Sequence, residues 1–419
     1  MRRLISKIAV DTRALGESRD FRLLTVGSVV TGLGTQAALV ALPYQVYVTT
    51  RPAFLTGLLG AVELGPLIAL SLFGGALADR FDRRRLLLAT QVALVAVASG
   101  LAAAAILGSP ALWLLYLLAG LGTAASAVER VTRSAMVPNL VSPERLRGAL
   151  SLTFGLYQLT MVLGPGLGGL LISAAGVEGA YIADAVTCAG MVLAAYLMRP
   201  QPPGAEAQEE REPIFRSIAT GLRFVRGERA LVGSFVIDLC AMTFGMPRAL
   251  FPVLSLTVYH SGASGTGALF SAVAAGATVA ALTTGWLGHA RWLGRIVLAA
   301  VAVWGGAIAL AGVTTSLAVA AVLLAIAGAA DSVSAVCRST ISQTLTPDRL
   351  RGRMSSVFSL VVASGPRLGD IESGTVAAAA TPRASVISGG VACIVSVGLV
   401  AALFPQLAGY DGQKVEARA

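Results

Sequence analysis

Ionisable residues stand inside stretches of the chain that are otherwise apolar: Glu63, Arg130, Asp238, Asp331, Arg367, Asp370 and Glu372 foremost, with Glu129, Arg133, Asp184, Arg248 and Arg338 beside them. A charge in such surroundings is costly unless it is paired or wet, which makes each one a functional candidate. Carboxylates and arginines placed together there offer proton uptake and release, because the favoured state of a carboxyl follows its solvation and its counter-ion. The richest run is GPRLGD, then IES, from Gly365 to Ser373. Arg367 and Asp370 are three residues apart, hence on one helical face and able to pair. Counting about 1.5 Å per residue from Met354 puts Asp370 and Glu372 near the middle of a bilayer. The plainer alternative is a static Arg367–Asp370 pair that fixes packing. Glu63, between Val62 and Leu64, suits a vestibule carboxylate, and Asp238 and Asp331 are comparable. Asp184 lies nearer a span end, where water reaches it. Arg133 and Arg338 occupy matching places and read as arginines that snorkel or brace a loop. A second set, Tyr44, Gln45, Tyr157, Gln158, Met242 and Phe244, offers rings and amides that could line a cavity for a small amphipathic molecule.

Composition says what solvent these groups sit in. The chain of 419 residues is 55% hydrophobic and 13% charged, with mean hydropathy +0.76. A soluble domain carries about 25% charged residues, so water cannot be the solvent of this surface. The net charge of +10 does not point to nucleic acid, since the arginines lie in short loops between apolar stretches rather than on one basic face. Cys188, Cys240, Cys337 and Cys393 are scattered without metal-ligand spacing, and His260 and His289 are isolated, so no metal or other cofactor is expected. GxxxxGK[ST] is absent, which excludes nucleotide as the energy source by that motif. No histidine neighbours a plausible nucleophile and acid, so an enzyme is not expected.

Twelve stretches are long enough to cross a bilayer, which takes about 20 apolar residues: 23–48, 54–78, 86–108, 111–137, 149–174, 177–198, 231–258, 263–288, 293–313, 316–341, 354–380 and 384–405. They are numbered here spans 1 to 12. The expected organisation is a leader (1–22), a first six-helix bundle (23–198), a linker with an amphipathic helix (199–230), a second six-helix bundle (231–405) and a tail (406–419). In the linker, Ile214, Phe215, Ile218, Leu222 and Phe224 recur at helical spacing. Basic residues crowd the leader, the linker and the even-to-odd loops, whereas the opposite loops hold only Arg51 and Arg383. Retention of Lys and Arg inside then sets both termini in the cytoplasm. The expected location is a bacterial cytoplasmic membrane, with lipids as surroundings and a monomer as the working unit.

The halves repeat. SPERLRG at Ser142–Gly148 matches TPDRLRG at Thr346–Gly352, and LGPGLGG at Leu163–Gly169 matches SGPRLGD at Ser364–Asp370. A membrane chain of two parallel halves suggests a transporter with a pseudo-two-fold repeat. Between spans 2 and 3 runs GGALADRFDRRRLLL. This resembles the loop motif of the major facilitator superfamily, GxLaDrxGrr: Gly75, Leu77, Asp79, Arg80, Arg83 and Arg84 match, while Asp82 replaces its second glycine. The resemblance implies an all-α integral membrane fold of twelve transmembrane helices in two bundles that rock around a central site. It also implies that Asp79 braces span 2 against span 11 in one transport state, and that the arginines hold the loop at anionic headgroups. The corresponding second-half loop, GWLGHARWLGR (Gly285–Arg295), lacks the aspartate. LGPGLGG resembles the glycine-proline motif of drug-proton antiporters, with Thr160 in place of the leading glycine, and Arg130 resembles the span 4 arginine that handles protons there. The paired loops followed by GPxLG resemble the branch of enterobactin exporters and macrolide efflux proteins. What this implies is proton-coupled antiport, inward protons driving out a small siderophore-like or drug-like molecule. A multidrug or macrolide pump without a siderophore role is the nearest alternative; a non-transporting receptor would need a sizeable soluble domain.

Overall fold

The computed structural model describes residues 15–16, 18–108, 110–202, 214–347 and 350–412, and leaves the side chains of 71–76, 78, 79, 214–219, 221, 288, 289, 351–353, 355–357 and 359 undescribed. The expected leader and tail therefore fall largely outside it, as do the side chains of Gly75 and Asp79. Among the described residues every regular element is a helix. Spans 1 to 4 are Arg19–Thr50, Ala53–Arg80, Arg83–Ile106 and Leu112–Leu140. Leu146–Leu197 runs for 52 residues, about 78 Å of helix, more than twice a bilayer core. Its backbone leaves helical geometry at Ala175 and at Gly176, where φ is +71°, so it folds back as spans 5 and 6. The positive φ explains the glycine: a side chain is strained in that region.

The linker helix is Ile214–Gly227, with Val225 buried against the core. Spans 8 to 12 are Gly262–Thr283, Leu293–Val313, Leu317–Leu345, Arg351–Ala379 and Pro382–Leu403. Among the described residues ten helices are long and apolar enough to cross a membrane by composition, the 52-residue one serving for two crossings. Span 11 fails only that composition test because it carries Arg367, Asp370 and Glu372, and with it the described helices suffice for the expected twelve crossings.

Span 7 is not the continuous segment that the sequence suggests. It consists of a helix Arg229–Phe244, a 3-10 turn Arg248–Leu250 and a short helix Phe251–Thr257. Pro247 supplies no N–H and the turn leaves the carbonyl of Gly245 without a helical partner. The buried indole of Trp304 in span 9 donates to that carbonyl at 2.7 Å.

By packing, the chain divides into two compact units, Met1–Ala41 with Ala69–Glu210 and Leu42–Ile68 with Arg211–Ala419. The first half of span 2 thus belongs with the second unit, where ionic contacts hold it. The glycine-proline motifs explain the tightest approaches in each. In the first unit a Cβ at Gly164 would meet the Gln36 side chain at 2.5 Å, and one at Gly168 the Ala37 Cα at 2.6 Å. In the second, a Cβ at Gly365 would meet Met242 at 2.6 Å, and Gly369 faces the carbonyls of Met242, Thr243 and Met246. The repeat therefore recurs as packing: span 5 on span 1, span 11 on span 7.

Candidate functional site

Four of the intramembrane charges meet in the second unit. The spacing of Arg367 and Asp370 allows a pair within span 11, but the structure makes two pairs to other elements instead. Arg367 Nη2 lies 3.3 Å from Glu63 Oε2 of span 2. Arg248 Nη2 lies 2.9 Å from Asp370 Oδ2. The other carboxylate oxygen of Asp370 accepts the backbone N–H of Ala249 at 3.1 Å. Asp370 thus caps the second limb of span 7, using a backbone donor that a helix start leaves free. Gly57 and Gly60 let span 2 come this close: a Cβ at Gly57 would fall 2.8 Å from the Cα of Gly374, and one at Gly60 2.8 Å from the Asp370 Cβ. Two carboxylates and two guanidiniums make the cluster neutral. Its side chains keep between 12% and 24% of their surface, so they stay within reach of water while largely removed from it. Glu372, two residues and so about half a turn beyond Asp370, is half-buried, and its Oε2 has no hydrogen-bond partner among the described residues.

A second cluster is not neutral. Arg338 in span 10 is 3% exposed and pairs with Asp238 of span 7, itself 2% exposed. Its Nη2 also stands 3.7 Å from Asp331 Oδ1, two turns away on its own helix. One guanidinium therefore serves two carboxylates, and Asp331 is the more accessible of them, with 32% of its side chain exposed. Arg338 is no snorkelling arginine: it is a buried counter-ion between spans. Its repeat partner Arg133 pairs within span 4, bidentately with Glu129 at 2.7 and 3.1 Å, and Gln91 of span 3 donates to the same carboxylate at 3.2 Å.

Asp184 is also placed differently from its sequence reading. It is buried in the first unit rather than wet, taking a hydrogen bond from Thr35 at 3.2 Å and one from Cys188 at 3.6 Å. Arg130 is exposed on span 4. Among the residues expected to line a cavity, Gln45 and Met242 are buried, Tyr44, Gln158 and Phe244 are half-buried, and Tyr157 is exposed. Met242 packs with Leu250, Phe251 and Trp304 in an apolar cluster. Arg248 is the residue whose role the sequence concealed; its position just after Pro247 is the signal, since a broken span frees backbone N–H donors that draw a carboxylate, and that buried carboxylate needs a cation beside it.

Residues 16–418 match the family model described as transmembrane secretion effector, a major facilitator family. The chain belongs to that family. Among curated relatives it is 30% identical over 369 residues to the enterobactin exporter EntS of Salmonella paratyphi A, covering 86% of each chain. It is 28% identical over 362 residues to the same exporter of Citrobacter koseri, again with 86% of each covered. Solved structures give the same fold: a bacterial homologue of the lysosomal transporter Spinster (TM-score 0.71, 16% identity, 93% of this chain and 98% of that one) and a POT family transporter bound to 5-aminolevulinic acid (TM-score 0.73, 14% identity, 94% and 97%). The nucleoside transporter NupG is similar to the same degree (TM-score 0.72, 13% identity, 93% and 98%). The chain is a multi-pass membrane transporter of small molecules and not an enzyme.

Within this family framework the loop between spans 2 and 3 acquires a local explanation. Asp82, which departs from the motif's second glycine, is the N-cap of span 3: its carboxylate accepts Arg85 N–H at 2.9 Å and Gln201 N–H at 2.8 Å. Arg84 donates to the carbonyls of Ala195 and Tyr196 at the end of span 6, at 3.0 and 2.6 Å, and Arg83 to that of Ala135 in span 4 at 3.0 Å. Of these arginines, expected at headgroups, Arg84 closes the C-terminus of span 6, where a cation is favoured, and Arg83 braces span 4 short of its end. Arg80 is exposed, its guanidinium 6.0 Å from the Phe81 ring.

Proposed function

We propose that this transporter is a secondary active exporter that works by alternating access, exchanging inward-moving protons for an outward-moving small amphipathic molecule. Siderophore-like compounds are the leading substrate class, on the strength of relatives named enterobactin exporters; drug-like compounds are the second, on the glycine-proline motif of span 5. Both termini lie in the cytoplasm, by the distribution of arginines between the loops. The single observation behind proton coupling is the Asp238–Arg338–Asp331 cluster, where one cation serves two carboxylates. A proton on Asp331 leaves a balanced Arg338–Asp238 pair; its release leaves Arg338 shared, which loosens the tie between spans 7 and 10. The neutral cluster of Glu63, Arg248, Arg367 and Asp370 has no such surplus, so it acts as a latch holding span 2, span 11 and the broken span 7 together. Glu372 is the alternative proton carrier on span 11.

Everted membrane vesicles test this directly. Energised vesicles should accumulate a catecholate siderophore or a fluorescent drug, and a protonophore should abolish accumulation. Accumulation that survives collapse of the pH gradient overturns the antiport mechanism. Asp331→Asn should lose gradient-driven accumulation while keeping substrate exchange at equal pH; full gradient-driven transport by that variant would move coupling to Glu372.

A further inference from the structure

The degenerate second copy of the loop motif builds a surface of its own. Between the end of span 8 and the start of span 9 lies an open groove of about 570 Å³, lined by Trp286, Arg291, Trp292, Arg295, Ile296 and Ala299. The guanidiniums of Arg291 and Arg295 both stack on the Trp292 ring, 5.0 and 4.6 Å from its centroid. Arg291 is oriented from behind by Asp411, which is almost fully buried and accepts its Nε at 2.8 Å, and the Gly412 N–H donates to the Arg291 carbonyl at 3.0 Å. Arg295 has no ion-pair partner among the described residues. Two arginines against one aspartate leave the groove one positive charge in excess. Ahead of Arg295, at intervals of one turn along span 9, stand the exposed Ala299 and Val303.

We propose that this groove binds an anionic phospholipid, with its phosphodiester at Arg295 and Arg291 and an acyl chain laid along Ala299 and Val303. The chemistry is complementary at both ends. A phosphodiester brings the single negative charge that the groove lacks, and guanidinium groups meet phosphate oxygens with paired N–H donors. The indoles sit where tryptophan is favoured, at the level of the headgroups, and an apolar stripe leads from them into the hydrocarbon. A free phosphate would use the arginines and leave the stripe and Trp286 uncovered, so the site is a lipid site. Where the first copy of the motif spends Arg83 and Arg84 on helix carbonyls, the second turns Arg295 outward.

Native mass spectrometry of the detergent-purified full-length transporter, titrated with phosphatidylglycerol or phosphatidylcholine, tests the proposal. The protein should retain about fivefold more phosphatidylglycerol, the discrimination that one basic residue near an anionic headgroup supplies. Arg295→Gln should reduce retention to the phosphatidylcholine level, while Arg130→Gln, an exposed arginine elsewhere, should not. Excess glycerophosphate should fail to displace the lipid. Equal retention of the two lipids, unchanged retention by Arg295→Gln, or displacement by glycerophosphate each overturns the proposal. Should Arg295→Gln fail to fold, brominated lipids decide on the wild-type protein: brominated phosphatidylglycerol should quench tryptophan fluorescence more than brominated phosphatidylcholine at equal mole fraction, and equal quenching overturns it.

Discussion

Changing Arg248 to Gln and Asp370 to Asn, singly and together, isolates the ion pair that holds the second limb of span 7. At 2.9 Å two unit charges in an effective dielectric of about 20 attract by about 6 kcal/mol, and desolvation takes back much of it. With 21% and 12% of the two side chains exposed, the pair is closer to a buried one than to a surface one, and loss of either partner costs about 3 kcal/mol. Asn at position 370 can still accept the Ala249 N–H, so that hydrogen bond cancels in the comparison. The double variant has no unpaired charge and should cost about the same as one single variant, a coupling of about 3 kcal/mol. For a unit of roughly 200 residues each single change should lower the melting temperature of the purified protein by about 6–12 °C, and the double change should add little further. Thermal unfolding followed by intrinsic fluorescence reads all four proteins. If the two single shifts simply add, the guanidinium and carboxylate do not meet in the folded transporter, and the latch assignment falls with them.

Other outcomes follow from the same geometry. Gly60→Val places a side chain where the Arg367 carbonyl and Asp370 Cβ stand within 2.5 and 2.8 Å of a Cβ; overpacking should cost about 1–3 kcal/mol and lower transport in vesicles, while Gly65→Val, which has open space there, should leave both unchanged. Trp304→Phe orphans the Gly245 carbonyl and should cost about 1–3 kcal/mol in a thermal melt. Asp82→Ala removes the N-cap of span 3 and should cost about 1 kcal/mol, with Asp82→Asn restoring most of it. Asp184→Asn should leave stability nearly unchanged, because its partners Thr35 and Cys188 are neutral; a large loss of stability would show that a cation faces it.

The helices were far more legible in the sequence than the partners of their charges. Apolar length alone located the crossings, and the break between residues 174 and 177 fell on Ala175–Gly176, where the chain turns back. Helical spacing also put Arg367 and Asp370 on one face. It could not say what that face meets: their partners are Glu63 and Arg248, which arrive from spans far away in the chain. Arg338 failed for the same reason, since nothing local to span 10 announces Asp238. The break in span 7 was written in Gly245 and Pro247, yet mean apolarity over 231–258 masks a missing N–H. Asp184 was misplaced because distance along a helix measures depth, not cover; a Cβ at Gly34 would lie 3.0 Å from the Asp184 Cα, so span 1 closes over it.

The interruption of span 7 has a mechanical consequence. An unbroken helix transmits bending along its whole length, because every turn is bonded to the next. Here the ladder is already open between Phe244 and Arg248, and the two limbs carry different polar tethers. The first limb is tethered to span 9 through Trp304, and the second to span 11 through Asp370. A tilt of span 11, which packs on the long limb through Gly365 and Gly369 and holds the short limb through Asp370, can therefore move the two limbs by different amounts, and no helical hydrogen bond has to break. Span 7 is a hinged pair of rods rather than a beam.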